Sequence, residues 1–148
     1  MIHVDVLRHD EGWPDVEPLV EPTVAAVLRE ANATLPAECE MSLVLADDAQ
    51  VRELNGRWRG KDRATNVLSF PSGALEQGMA GDVVMARETM VREAAEQNKS
   101  FEDHFRHLLA HGLLHLLGFD HETDDEAQTM EDAEKGALAR LGLADPYE

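Results

Sequence analysis

Three histidines fall within one short run, HGLLHLLGFDH: His111, His115 and His121, spaced i, i+4, i+10. Residues four apart on a helix share a face, one turn above the other. His111 and His115 can therefore present both imidazoles to a single ion. Gly118 permits the left-handed turn that ends such a helix. The chain then doubles back through Phe119 and Asp120 and delivers His121 from the far side. Three neutral nitrogens with a fourth position open are the donor set of a catalytic zinc, whereas a structural zinc is closed by four protein ligands. The run predicts one Zn2+ per chain. Three histidines also accept nickel, cobalt or copper.

The spacing matches the long zinc motif H-E-x-x-H-x-x-G-x-x-H, glycine included, with one departure. The glutamate that serves metallopeptidases as general base is Gly112 here. The chain keeps a metallopeptidase-like zinc-ligand helix and lacks the base. Asp120, beside the third ligand, is the nearest candidate for a catalytic carboxylate. It has two further readings: a hydrogen-bond partner for a ligand imidazole, or an acid that satisfies the helix end. His107 lies one turn before His111 on the metal face and is a candidate for a substrate groove. His104, a turn earlier still, reads as a surface residue. Residues 57–63, RWRGKDR, hold four bases against one acid. Arg57, Arg59, Lys61 and Arg63 suit a phosphate-binding path, although charged loops are by default only solvated.

The elements that must position these groups can be read from periodicity. IHVDVLR at 2–8 alternates like a strand. A helix follows from Pro18 or Pro22 to Asn32, with an apolar stripe of Val20, Val24, Val27, Leu28 and Ala31. Residues 40–46 form a second strand, and Asp47 with Gln50 opens a short helix to about Leu54. The basic stretch reads as a loop. Residues 65–70 form a third strand halted by Pro71, 72–80 a loop, and 81–86 a fourth strand. Helices follow at about 87–98, 101–117 and 124–141, with N-terminal caps at Ser100 and Thr123 and a stop at Gly142. Early interleaving and late helices predict an α+β domain, a small mixed four-stranded sheet packed with about five helices. The ligand helix is strongly apolar and should run through the core. Trp13 and Trp58 are assigned to packing, and Met79, Met85 and Met90 to the core.

A chain of 148 residues is expected to form one domain, 1–148. No run approaches the length of a membrane span, and the start does not resemble a signal peptide. The single Cys39 excludes an intrachain disulfide and suits a reducing cytoplasm. The net charge of −17, taken alone, argues against nucleic acid. The charge is uneven: residues 120–148 hold ten acids against Lys135 and Arg140, while the basic run stands apart.

The histidine run, together with RGKDRATNVLSFP at 59–71, GDVVM at 81–85, DDEAQTMEDAE at 124–134 and DPY at 145–147, resembles the YbeY family of bacterial metal-dependent endoribonucleases. The similarity covers most of the chain and thins before about residue 40. It implies a mostly parallel four-stranded sheet, with one helix carrying the metal ligands His111, His115 and His121. It also implies a functionally required arginine at Arg59. The implied substrate is single-stranded RNA. The implied roles are ribosomal RNA maturation, notably at the small-subunit 3′ end, and ribosome quality control. On this reading His111 serves the catalytic centre as a ligand, Arg59 clamps a phosphate, and the partners are ribosomal RNA and the ribosome, with no membrane. Two other readings compete: a zinc peptidase on the same cradle, against which Gly112 argues, and a non-enzymatic zinc-containing ribosome-assembly factor, against which the open ligand position argues.

Overall fold

The computed structural model describes residues 2–60 and 65–146. Strand β1 (Ile2–Arg8) leads into helix α1 (Glu17–Ala31), then β2 (Cys39–Ala46) and α2 (Asp48–Arg59). Strands β3 (Val67–Ala74) and β4 (Met79–Ala86) are joined by a short 3-10 turn, Leu75–Gln77. Three helices complete the order: α3 (Arg87–Glu96), α4 (Phe101–Leu116) and α5 (Asp124–Arg140). The sheet runs β1-β2-β4-β3, with β1, β2 and β4 parallel and β3 antiparallel to β4. The expected α+β architecture is present: the described residues form a mixed, mostly parallel four-stranded sheet with five helices.

Side chains alternate across a strand, and here the alternation divides two cores. Met41, Leu43 and Leu45 of β2, with Val83 and Met85 of β4, face the larger core under α1, α4 and α5. Val44, Ala46, Val84 and Ala86 face the smaller one, closed by Val51 and Leu54 of α2. Helix α4 is buried nearly all round, through Phe105, Leu108, Leu109, Leu113 and Leu114, as its composition predicted. Trp13 stacks edge-on against Phe101 and Phe105 and donates its indole N–H to the Ala46 carbonyl at 2.8 Å.

Several boundaries differ from expectation. Helix α2 runs to Arg59 rather than Leu54, so Arg57 and Arg59 occupy its last turn instead of a loop. Asp47 caps it through the Gln50 N–H, but Gln50 turns its side chain to His9 and leaves the reciprocal bond unmade. Helix α1 starts before Pro18 and continues through Pro22. Strand β3 passes through Pro71 to Ala74. It is an edge strand, where a missing N–H can face away from the ladder, and its register with β4 shifts beyond Pro71. Met85 and Met90 fill the core as assigned, whereas Met79, the first residue of β4, is 56% exposed. Trp13 packs, but Trp58 is 67% exposed on α2.

Candidate metal centre

The geometry of the site begins with a helix end. The Gly118 N–H bonds to the His115 carbonyl and the Phe119 N–H to the Leu114 carbonyl, the paired bonds of a Schellman stop. Gly118 sits at φ 101° with nothing within 4 Å of a Cβ position, so backbone conformation rather than space calls for glycine. The turn also orients a ligand, because the Phe119 carbonyl accepts from His115 Nδ1 at 3.1 Å. That bond leaves Nε2 of His115 as the free lone pair. It faces Nε2 of His111 at 3.2 Å. His121 closes the group, with its ring centroid 5.1 Å from His115 and 6.1 Å from His111. One nitrogen from each of the three lies within 4.8 Å of the others, so together they could hold a metal ion.

Electrostatics favours the ligand form. Burial lowers the His115 pKa, and the neighbouring His111 and His121 push it the same way. A neutral imidazole keeps the lone pair a metal needs. Behind His111 stands Glu134 of α5, fully buried, with Oε1 against His111 Nδ1 and Oε2 taking His107 Nε2 at 3.2 Å. Sequence reading assigned Glu134 no role. A signal was there: Met130, Ala133, Ala137 and Leu138 form the buried stripe of α5, and Glu134 stands within it as an acid at an apolar position.

The ligands open into a cleft of about 690 Å³ whose walls include Arg59, Thr65, Asn66, Ser69 and Asp120. Arg59 therefore shares a cavity with His111, His115 and His121, from a helix on the opposite sheet face. Asp120 accepts the His121 main-chain N–H at 2.8 Å, a bond local to the turn. Asn66 donates to Glu93 at 3.0 Å and Ser69 to the Gly112 carbonyl at 3.0 Å, so both have structural commitments at the cleft wall. Arg57 is exposed and is not among the residues lining the cleft. His107 is likewise not a lining residue and lies beneath His111 against Glu134, away from the expected groove position. Lys61 and Arg63 lie outside the described residues.

Gly112 is buried against the sheet. A Cβ there would meet Val83 Cγ1 at 2.9 Å and Ser69 Oγ at 3.2 Å. The position that carries the peptidase base is thus packed on core, with no space for a glutamate.

His104 corrects an expectation. It is 1% exposed, not on the surface, because Glu93 of α3 covers it and takes its Nε2–H at 2.8 Å. Burial lowers its pKa; Glu93 raises it by less, and Lys99 and His107 oppose the charge. Nδ1 of His104 has no partner among the described residues, so a second proton would be a buried, unsatisfied donor. The contact is therefore a neutral imidazole donating to a carboxylate rather than an ion pair. A base whose folded pKa lies below its unfolded value leaves the unfolded state binding more protons, so stability falls as pH drops through the unfolded value, near 6.5. His104→Gln should flatten the slope of unfolding free energy between about pH 7.5 and 5.5, by up to about 1.4 kcal/mol per pH unit for a full proton. Denaturant titrations across that range check it, and parallel slopes would remove His104 from the acid response.

Comparison with known proteins bears on what such a cleft belongs to. The profile of the family described as "Endoribonuclease YbeY" matches residues 10–142. A curated protein of that name from Azorhizobium caulinodans is 47% identical over 153 residues, covering 99% of this chain and 96% of its own. Its namesake from Rhizobium etli is 49% identical, covering 99% and 94%. The solution structure of TM1509 from Thermotoga maritima shares the fold, with a TM-score of 0.61 at 24% identity over 99% of both chains. Among the described residues no helix is long and apolar enough to cross a membrane. Similarity at this level over nearly the whole chain establishes that the protein belongs to the endoribonuclease YbeY family.

Proposed function

We propose that this protein is a metal-dependent endoribonuclease that cleaves single-stranded RNA in ribosomal RNA maturation, including the small-subunit 3′ end, and in ribosome quality control. One observation carries the reading: three convergent imidazoles and the Arg59 side chain line the same cleft. Family membership supplies the reaction class, since the relatives are named endoribonucleases. The histidine cradle suits one zinc ion per chain, which would supply Lewis acidity there. The chain's own residues do the rest. His111, His115 and His121 hold the ion. Arg59 grips a phosphate through two parallel N–H bonds and stabilises charge that grows in the transition state. Asp120, which lines the cleft beside His121, accepts a proton from the attacking group in this reading. Arg57, Lys61 and Arg63 contribute charge to the phosphate-binding path, which raises the salt sensitivity of RNA binding. The site of action is the cytoplasm, with ribosomal RNA and the ribosome as partners.

The packing of Gly112 against Val83 argues against the peptidase alternative. The assembly-factor alternative predicts RNA binding without cleavage. Assays on single-stranded RNA and on casein, with and without chelator, separate the three: chelator-sensitive cleavage of RNA alone supports the proposal, and intact RNA overturns it.

Arg59→Lys tests the clamp. Lysine keeps the charge but not the planar fork. Turnover on single-stranded RNA should fall about tenfold or more, roughly 1.4 kcal/mol, with metal content unchanged. RNA affinity at fixed salt should fall less than turnover, because the contact tightens in the transition state. Wild-type turnover by both Arg59→Lys and Arg59→Ala would take Arg59 out of the mechanism.

A further inference from the structure

We propose that Glu134 is the positioning residue that holds His111 in the tautomer able to bind a metal, acting as one acceptor shared by His111 and His107. The inference rests on the reading of His111 as a ligand. A neutral imidazole carries one N–H, on Nδ1 or on Nε2, and only the bare nitrogen can ligate. In His111 the nitrogen turned towards His115 is Nε2, so the proton must sit on Nδ1. Nδ1 faces Glu134 Oε1. An ionised carboxylate only accepts, so this contact selects the Nδ1–H form. The other oxygen, Oε2, takes Nε2 of His107, one helical turn below.

Burial makes the arrangement more than incidental. Glu134 is 0% exposed. A carboxylate without water is costly unless its oxygens are matched by donors. Its neighbours along the α5 stripe are Met130, Ala133, Ala137 and Leu138, so packing alone would be served by an apolar side chain. The two inner ligands are thus oriented by different devices: His115 by a main-chain carbonyl, His111 by a side chain from another helix. Only the second can be removed by substitution. His107 acquires a task as well, because its donation fixes the second oxygen and with it the carboxylate plane.

The test uses Glu134→Gln and Glu134→Met in the full chain, purified without a histidine tag and stripped of metal. Zn2+ affinity is measured by competition with a chromophoric chelator, and imidazole tautomers by long-range proton–nitrogen NMR correlation in the metal-free state. The expected result is His111 protonated on Nδ1 in the wild type and a shift towards Nε2–H in Glu134→Met. Zn2+ affinity should fall about tenfold to a hundredfold in that variant, as for other partners behind metal ligands. Glu134→Gln should lose less, since its single carbonyl can still serve His111 while its amide N–H turns the His107 tautomer. A merely structural Glu134 would alter the melting temperature and leave both readouts alone. A loss below tenfold in Glu134→Met, or a proton on Nε2 of His111 in the wild type, overturns the proposal. If Glu134→Met does not fold, the wild-type spectrum and Glu134→Gln decide: unchanged tautomers at both histidines with unchanged affinity overturn it. None of these readouts uses RNA, so a zinc-loaded wild type that leaves RNA intact would sink the nuclease reading alone.

Discussion

His115→Ala is expected to abolish tight metal binding, to reduce RNA cleavage by at least about a hundredfold, roughly 2.7 kcal/mol, and to remove the stabilisation that metal confers. The three effects share a cause. His115 supplies Nε2 at 3.2 Å from that of His111, and its other nitrogen is committed to the Phe119 carbonyl, so truncation removes a ligand already oriented for the ion. Two remaining imidazoles, one of them exposed, make a weak site. An ion bound to the native state alone, at about one hundred times its Kd, adds about 2.7 kcal/mol. In a domain of this size that is roughly 5–10 °C in Tm. Chelator should therefore lower the melting temperature of metal-loaded wild type and leave His115→Ala where it is. Elemental analysis and paired thermal scans make the measurement. A metal-loaded wild type with the same Tm before and after chelation would contradict it.

Gly112→Glu should not create a peptidase and should cost the protein much of its stability. It restores the residue that the long zinc motif carries, so it reads as a gain of function in sequence terms. The tertiary position says otherwise. The first added atom would meet Val83 Cγ1 at 2.9 Å, and Val83 is fully buried in the middle of β4. The carboxylate would follow it into the interface of α4 with the sheet, where Ser69 already donates to the Gly112 carbonyl. Overpacking costs about 1–3 kcal/mol and an unmatched buried carboxylate several more, against a total of about 5–15 kcal/mol. The expected outcome is an insoluble chain or one whose Tm falls by about 10 °C or more, with no casein cleavage. A soluble variant of wild-type stability would show that α4 can move off the sheet.

The two expectations sit on opposite sides of what a sequence can convey. The ligand run was legible because its geometry is local: His111 and His115 follow from helical period, and Gly118 and Asp120 from the chemistry of one turn. The same holds for the caps at Ser100 and Thr123 and for the four strands, whose signals span less than ten residues. Arg59 was placed by resemblance rather than by spacing. The helix beneath it runs past Leu54 without a sequence signal, since RWRG carries no apolar period to announce a helix.

The long-range partners were not legible in the same way. Glu134 meets His111 across 23 residues, and Glu93 joins Asn66 and His104 across 27 and 11. Glu93 looks like any other surface acid in a chain of net charge −17. Glu134 stands out as an acid in the apolar stripe of α5, but which histidine it meets follows only from how α5 packs on α4. Pro71 read as a stop, and became a strand residue because β3 lies at the sheet edge. Gly112 read as a missing base, and proved to be the contact that lets α4 approach β4. Backbone period and turn chemistry act between near neighbours, so a sequence carries them openly. Which face of a helix is covered, and by whose side chain, is settled by the joint burial of apolar surface over the whole domain, and no local pattern contains it.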